Sequence, residues 1–230
     1  MQNYSSPPNY LQINNDITFI KSDIENYIKK HLIPKYFEGR EYSYKINKWQ
    51  QNFLDELEQY CLEKYPNYKF YFWLALYPRK GLLFNSGDRV HYYNETDMKF
   101  SYYINSTNIS IDLGGIGIKN LNLVHKGSIN DYKPDLRNKI DNTIENIFEG
   151  RTIIAGQCSK YLDFILDEIL KYVKLKDKFP YYYVVGTIFK KGMDNSISER
   201  YVNQTSNYGI VSFKYQNDSV ECVIHVFSCI

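Results

Sequence analysis

The first half of the chain opens with two stretches in which apolar residues recur every three or four positions. The first stretch runs from Ile17 to Ile28, and the second runs from Ile46 to Cys61. This spacing places the apolar side chains on one face of a helix, so both stretches are predicted to be amphipathic helices. Pro34 should end or kink the first helix, because proline lacks an N–H group and clashes with the preceding turn.

After the second helix, the pattern changes to that of strands. Residues 70–77 form an unbroken apolar and aromatic run that is rich in strand-forming side chains. Because both faces of this run are apolar, it is predicted to be a central strand with helices on one side of its sheet. Three further extended segments are predicted to be strands, at residues 82–93, 98–105 and 108–116.

The second half of the chain repeats this succession. The sequence Phe-Glu-Gly-Arg at residues 37–40 recurs at residues 148–151, which is 111 positions later (148 − 37). Three further short matches follow in the same order with similar offsets. Helices are predicted at residues 136–147 and 158–172, and strands at residues 181–189, 196–203, 208–216 and 219–230.

This repeat predicts an α+β protein made of two tandem ααββββ units, each with two helices packed on an antiparallel sheet. The units are expected at residues 15–118 and 131–230. Residues 119–130 are then a linker, and the polar residues 1–14 are a flexible tail.

Short segments of both repeats are similar to motifs of the Tctex-type dynein light chain family. Lys45-Ile46-Asn47-Lys48-Trp49 resembles the family's Val-Asn-x-Trp opening of the second helix. Residues 70–81 resemble its first strand and the Arg-Lys-Gly turn, and residues 108–118 resemble its last strand. In the second repeat, Tyr161 takes the place of the tryptophan.

The resemblance implies a non-catalytic subunit of a dynein motor complex, without a cofactor. Its implied partners are dynein intermediate chains and other dynein light chains, and neither nucleic acid nor membrane is among them. Family members are single units that dimerise by exchanging a strand and bind extended peptides along sheet edges. Here the units share one chain, so we expect a monomeric chain that forms an internal pseudo-dimer, since a short linker gives an effective concentration of ~mM.

An extended partner would add a strand to an open sheet edge, where backbone N–H and C=O groups lack partners. The expected edges are the second and third strands of each unit. Candidate contact residues are apolar or aromatic side chains on the second strands, because aromatic residues are frequent at binding hot spots. They are Phe84, Val90, Tyr92, Tyr93, Ile197, Tyr201 and Val202. The alternative is that these side chains face the core or the other unit.

Composition narrows the classes of function. The 230 residues contain 28 Lys and Arg against 26 Asp and Glu, which is too balanced for a dedicated duplex-binding surface. The longest apolar run is far shorter than the ~20 residues that a membrane-spanning helix needs. The cysteines form no Cys-x-x-Cys pair and have apolar neighbours, so buried thiols in a reduced compartment are predicted, with disulfides as the alternative. They are Cys61, Cys158, Cys222 and Cys229.

No enzymatic chemistry is predicted. A nucleotide-binding loop of the type GxxxxGK[ST] is missing from the sequence. The glycine-rich residues 112–117 lack GxGxxG spacing, so a tight strand end is predicted instead of a phosphate site. Neighbouring helix residues point apart, so the Asp-Glu pairs at residues 55–56 and 167–168 are expected on a solvated face. The histidines have no metal-ligand spacing; they are His31, His91, His125 and His225.

Single-stranded RNA binding is the main competing class, because residues 208–213 resemble part of the RNA-recognition signature. Against it stand the near-neutral charge and the order of the elements, since both helices precede the strands. An adaptor of the same fold that never meets dynein is a third alternative. Abundant Asn, Lys, Ile and Tyr are typical of an A·T-rich genome, which favours a protist. A dynein light chain of a protist is expected in the cytoplasm and cytoskeleton, and specifically in the axoneme of a cilium.

Overall fold

A computed structural model describes residues 10–79, 84–91, 97–106, 108–119, 133–151, 155–176, 181–192, 196–202 and 209–229. In this part of the chain the protein is α+β, with helices packed on two four-stranded antiparallel sheets. Helices precede four strands in each half, and all eight predicted strands are found.

In the first half, the elements are α1 (Tyr10–Tyr27), a π-helical turn (Ile28–Leu32), α2 (Ile33–Tyr36), α3 (Ile46–Lys64), β1 (Tyr68–Pro78), β2 (Phe84–His91), β3 (Met98–Asn105) and β4 (Ile109–Lys119). In the second half, they are α4 (Lys133–Phe148), a short 3-10 turn (Ala155–Gln157), α5 (Cys158–Lys176), β5 (Tyr181–Lys190), β6 (Ser196–Val202), β7 (Gly209–Gln216) and β8 (Val220–Cys229).

Each sheet contains one strand from the opposite half of the chain. One sheet has the order β3-β4-β1-β6, and the other has the order β2-β5-β8-β7. The fold therefore has two compact units that are not continuous in sequence, with β6 in the first and β2 in the second. The boundaries predicted at residues 15–118 and 131–230 are those of the sequence repeats, whereas the compact units exchange β2 and β6. Residues 10–14 of the predicted tail form the start of α1. Residues 1–9 of that tail and residues 120–130 of the predicted linker lie outside the described residues.

The central position predicted for the first strand of each repeat is confirmed. β1 lies between β4 and β6, and β5 lies between β2 and β8. Every residue of β1 from Tyr68 to Tyr77 is buried, as is every residue of β5 from Tyr182 to Phe189. Both faces of each strand are therefore covered, which explains the unbroken apolar runs in the sequence.

The glycine-rich residues 112–117 lie inside β4, so the prediction of a strand end is wrong. A Cβ atom at Gly114 would collide with the indole of Trp73, and one at Gly115 would collide with the backbone oxygen of Tyr71. These two glycines are needed because an aromatic side chain and a backbone oxygen of β1 occupy the space where their side chains would be.

The first helix does not end at Pro34 but is interrupted just before it. The N–H of Ile33 donates to the carbonyl of Ile28, five residues back, and α2 then continues to Tyr36. Pro34 lies in the first turn of α2, where its missing N–H costs little. The π-helical turn inserts one residue. This explains why the repeat offset changes from 112 at Ile28 (140 − 28) to 111 at Phe37 (148 − 37).

The repeated Phe-Glu-Gly-Arg sequence is a helix end. Gly39 and Gly150 have φ angles of 68° and 65°, in the left-handed region that glycine adopts without strain. The backbone N–H of Arg40 then donates to the Phe37 carbonyl, and that of Arg151 donates to the Phe148 carbonyl, each with an N···O distance of 3.3 Å.

The carbonyl groups of Phe37 and Phe148 also attach the helix ends to the β3–β4 and β7–β8 hairpins. The Phe37 carbonyl accepts a hydrogen bond from Ser106 Oγ at 3.1 Å, and the Phe148 carbonyl accepts one from Asn217 Nδ2 at 3.3 Å. Ser106 and Asn217 lie in the turns between the third and fourth strands of their repeats. They are also 111 residues apart (217 − 106), so the sequence repeat preserves this contact.

The burial predicted for the cysteines is confirmed for the three thiols that the structure describes. Cys61, Cys158 and Cys222 are buried and form no disulfide, while the side chain of Cys229 lies outside the described residues. Burial raises the pKa of the Cys61 and Cys222 thiols, because it penalises the thiolate. No helix in the described part of the chain is long and apolar enough to cross a membrane.

The expectation of a solvated face is wrong for Glu56. Its carboxylate accepts hydrogen bonds from Tyr36 at 2.6 Å, Tyr27 at 3.2 Å and Lys35 at 2.5 Å. Burial raises the pKa of Glu56, but the hydrogen bonds from these three side chains outweigh it and hold the pKa below its usual range. This carboxylate therefore joins α1 and α2 to α3.

Asp23 forms a second polar contact between α1 and the end of α3. It accepts hydrogen bonds from Tyr60 at 2.5 Å, Tyr65 at 2.6 Å and Lys64 at 3.3 Å. The Tyr60 ring stacks on Tyr27, with ring centroids 3.7 Å apart. Polar side chains thus supplement the apolar packing between these helices.

Candidate partner-binding edges

The outermost described strands are the second and third strands of each repeat, as predicted. β3 and β6 form the two edges of the first sheet, and β2 and β7 form the two edges of the second. A strand at a sheet edge presents backbone N–H and C=O groups on one side, which can pair with another chain.

The hairpin turn shows which backbone groups of β3 point away from the sheet. The N–H of Ser106 donates to the carbonyl of Ile109 at 2.9 Å, so this pair is hydrogen-bonded across the hairpin. In an antiparallel ladder, hydrogen-bonded and non-hydrogen-bonded pairs alternate. The register between β3 and β4 is continuous. The backbone groups of Ser101 and Tyr103 are therefore directed away from β4, toward the open edge.

The side chains of β3 alternate between buried and exposed positions along the strand. Met98, Phe100 and Tyr102 are buried, while Ser101 and Tyr103 are exposed. The Tyr103 side chain is 60% exposed, which is high for an aromatic residue on a strand. The edge of β3, which pairs with no other described strand on its outer side, therefore combines outward backbone groups with an exposed aromatic ring that could anchor a partner.

The edge of β7 has the same backbone geometry with different side chains. The N–H of Asn217 donates to the Val220 carbonyl at 3.0 Å, and the register with β8 is continuous. The outward backbone groups of β7 are therefore those of Ser212, Lys214 and Gln216, whose side chains are exposed. Ser212 occupies the repeat position of Ser101 (212 − 101 = 111), whereas Lys214 stands where the first repeat has Tyr103.

Ionic contacts hold the exchanged strand β2 against α5. Arg89 Nε lies 2.6 Å from Asp167 Oδ1, and Arg89 Nη2 lies 2.8 Å from Asp163 Oδ1. On the same strand, Asp88 accepts a hydrogen bond from the Tyr183 hydroxyl at 2.9 Å. These contacts fix β2 to the second compact unit.

Five of the seven predicted contact residues lie on edge strands: Phe84 and Val90 on β2, and Ile197, Tyr201 and Val202 on β6. Ile197 is half-buried. Tyr92 and Tyr93 lie outside the described residues, as do the side chains of the other four. Their role in partner binding stays a prediction.

The contact residues predicted from the sequence include none on the third strands, although these strands were expected to be edges. Tyr103 is the clearest omission. The alternation of apolar and polar residues from Met98 to Asn105 carries the signal, because a period of two places Tyr102 and Tyr103 on opposite faces. Because Tyr102 and Tyr103 are identical neighbours, the alternation of apolar and polar residues is hard to recognise at this point of the sequence.

The described residues contain no group of three or more His, Cys, Asp or Glu side chains that could hold a metal ion. No family model matches the chain, and no curated protein matches it significantly. The geometry of the edges is therefore the main basis for a functional proposal.

Proposed function

We propose that this protein is a non-catalytic, Tctex-type light chain subunit of a dynein motor complex that binds intermediate-chain segments by β-strand addition. The observation that carries the proposal is the pair of edges β3 and β7, which no other described strand pairs with on the outer side and whose outward backbone groups can form a ladder with an extended segment. We place this complex in the cytoskeleton, in the axoneme of a cilium.

The exchange of β2 and β6 supports the Tctex-type assignment. The resemblance noted above implies that paired units exchange one strand, and here the second strand of each repeat completes the sheet of the other. A single chain then performs the role of a dimer, and no second copy is needed to complete either sheet. We expect the chain to be monomeric by light scattering.

The two edges differ in chemistry, which favours two unlike partner segments. β3 exposes Tyr103 at the position where β7 exposes Lys214. Lys214 forms an ion pair with Glu221 on β8, and Ser212 lies 2.9 Å from the His225 ring nitrogen. A tandem light chain with unlike edges is suited to a pair of different intermediate chains.

The element order does not favour the RNA-binding alternative. The RNA-recognition fold alternates β-α-β-β-α-β, whereas both halves of this chain place their helices before their strands. The stacking residues of that fold would also need an exposed sheet face. Phe213, in the segment that resembles the RNA-recognition signature, is buried.

Proline substitution on the open edge tests the proposal. Ser101→Pro removes an outward N–H without removing a hydrogen bond to β4, and edge strands accept proline at such positions. Ser212→Pro makes the same change on β7. Ser101→Ala and Ser212→Ala are the matched controls, because they alter the side chain and keep the N–H group.

The tagged wild-type chain and the four variants are used in pull-downs from the source cell, after circular dichroism has confirmed that each is folded. We expect dynein heavy and intermediate chains with the wild type and both alanine variants, and less of them with a proline variant. Recovery of RNA without dynein chains, or equal recovery with all five proteins, would contradict the proposal. RNA binding with a steep salt dependence would support the competing class.

A further inference from the structure

A buried hydroxyl without a partner lies on the edge strand β3. Tyr102 is 8% exposed, and its hydroxyl has no hydrogen-bond partner among the described residues. Buried polar groups are nearly always hydrogen-bonded, so an unpaired hydroxyl needs an explanation. A bound partner could supply the missing acceptor.

A cation lies directly above the same ring. Lys29 projects from the π-helical turn that follows α1, and its Nζ is 5.0 Å from the centre of the Tyr102 ring. Lys29 itself is exposed. On the helix-facing side of β3, the Lys29 ammonium group thus lies over the same ring that carries the buried Tyr102 hydroxyl. Both groups are hydrogen-bond donors.

The second repeat lacks this pair of donors. Phe213 stands at the position of Tyr102 (213 − 102 = 111) and has no hydroxyl. Because Ile140 is the equivalent of Ile28, Asp141 stands at the position of Lys29, which reverses the charge. The donor pair is therefore specific to the first edge and is not a general property of the repeat.

An added strand would place a side chain close to this donor pair. The outward backbone groups of β3 belong to Ser101 and Tyr103. In a partner strand added antiparallel to β3, the residue opposite Tyr102 would therefore form a non-hydrogen-bonded pair with it. Side chains in such pairs are the closest across an antiparallel ladder. The side chain opposite Tyr102 would face the helices, as Tyr102 does.

We propose that the β3 edge selects an extended partner segment with an Asp or Glu side chain opposite Tyr102, and that Lys29 and the Tyr102 hydroxyl bind its carboxylate. This inference rests on the strand addition proposed above and adds the class of segment that the first edge recognises. A carboxylate suits the site because it accepts hydrogen bonds and carries the charge opposite to that of Lys29.

The test begins with a displayed library of random 12-residue peptides, selected on the immobilised full-length wild-type protein. Selected peptides are synthesised with a fluorophore and measured by anisotropy, together with versions in which the shared acidic residue is changed from Glu to Gln or from Asp to Asn. The protein variants are Lys29→Gln, Tyr102→Phe and Ser101→Pro. Tyr103→Phe and Asp141→Asn are the controls.

We expect the peptides that Ser101→Pro fails to bind to share an acidic residue at one position. Lys29→Gln, Tyr102→Phe and the amide peptide should each weaken binding about tenfold, the loss expected for one charge-assisted hydrogen bond. Tyr103→Phe should keep the preference for the acidic peptide, and Asp141→Asn should leave binding unchanged. Tyr102→Phe should also keep or raise the melting temperature, because it removes an unpaired buried hydroxyl.

Two results would overturn the inference in different ways. Peptides that depend on the β3 edge but show no acidic preference, or bind Lys29→Gln as well as the wild type, would refute the carboxylate site and leave strand addition standing. If no selected peptide is sensitive to Ser101→Pro, strand addition at β3 is refuted, and the carboxylate site with it.

Discussion

Replacing Tyr65 with phenylalanine isolates one hydrogen bond of the contact between α1 and α3. The Tyr65 hydroxyl donates to Asp23 Oδ2 at 2.6 Å, and the phenylalanine ring retains the apolar part of the side chain. Asp23 keeps two other donors in the variant, Tyr60 at 2.5 Å and Lys64 at 3.3 Å. The substitution therefore weakens the environment of this carboxylate without leaving it unpaired.

A hydrogen bond to a charged group contributes about 1.5–3 kcal/mol to the free energy of unfolding. Because Asp23 retains other donors and is partly solvated, we expect the loss to lie near the lower limit, at about 1.5 kcal/mol. For a chain of this size, each kcal/mol shifts the melting temperature by about 2–4 °C. The variant should therefore melt about 3–6 °C below the wild type at pH 7.

The effect should depend on pH in a defined direction. Burial raises the pKa of Asp23, but the hydrogen bonds from Tyr60, Tyr65 and Lys64 outweigh it, so the folded pKa lies below the ordinary value. Such a group stabilises the fold above its unfolded pKa of about 3.9, and this stabilisation is lost as pH falls through the folded pKa. Tyr65→Phe moves the folded pKa of Asp23 upward, so the difference from the wild type should be largest at pH 7 and shrink below pH ~4.

Urea unfolding at pH 7, 5 and 3, followed by circular dichroism, measures these differences in the full-length chain. Tyr44→Phe is the matched control, because the Tyr44 side chain is 89% exposed. If unfolding has two transitions, the comparison applies to the one that Tyr65→Phe changes. An equal loss in the control, or a difference that persists unchanged at pH 3, would refute the reasoning.

Two further substitutions test the packing of the sheets, each measured by thermal unfolding. Gly115→Ala should lower the free energy of unfolding by about 1–3 kcal/mol, because its methyl group would meet a backbone oxygen of the neighbouring strand. Gly156→Ala, which has open space, should have a much smaller effect, and equal losses would contradict the packing assignment. Arg89→Ala should cost about 1 kcal/mol at low salt and less at 1 M salt, because its two ion pairs are partly exposed. Lys160→Ala is the surface control, and a salt-independent loss at Arg89 would argue against the ionic contacts.

Local patterns were sufficient to predict most elements of this fold. Side chains alternate across a strand and recur every three or four residues on a helix, so the period of apolar residues identifies each element without knowledge of its neighbours. The repeated Phe-Glu-Gly-Arg sequence likewise reflects a local requirement, since Gly39 and Gly150 both take a positive φ angle. The burial of Cys61 and Cys222 followed from their apolar neighbours.

Contacts between distant residues were beyond the reach of such patterns. The sequence placed Glu56 on a solvated face, because neighbouring residues on a helix point apart and adjacent acids therefore do not act as a pair. Tyr36, 20 positions away, binds this carboxylate only after α2 has packed against α3.

The sequence by itself determined the order of the helices and strands, the two repeats and the buried central strands β1 and β5. Only the tertiary structure decided that β6 joins β1 and that β2 joins β5, so that each sheet takes one strand from the other repeat. The physical reason is that backbone hydrogen bonds between strands are nearly the same for any sequence. The choice of neighbour therefore depends on long-range packing, such as that of Arg89 against Asp163 and Asp167, which no local period records.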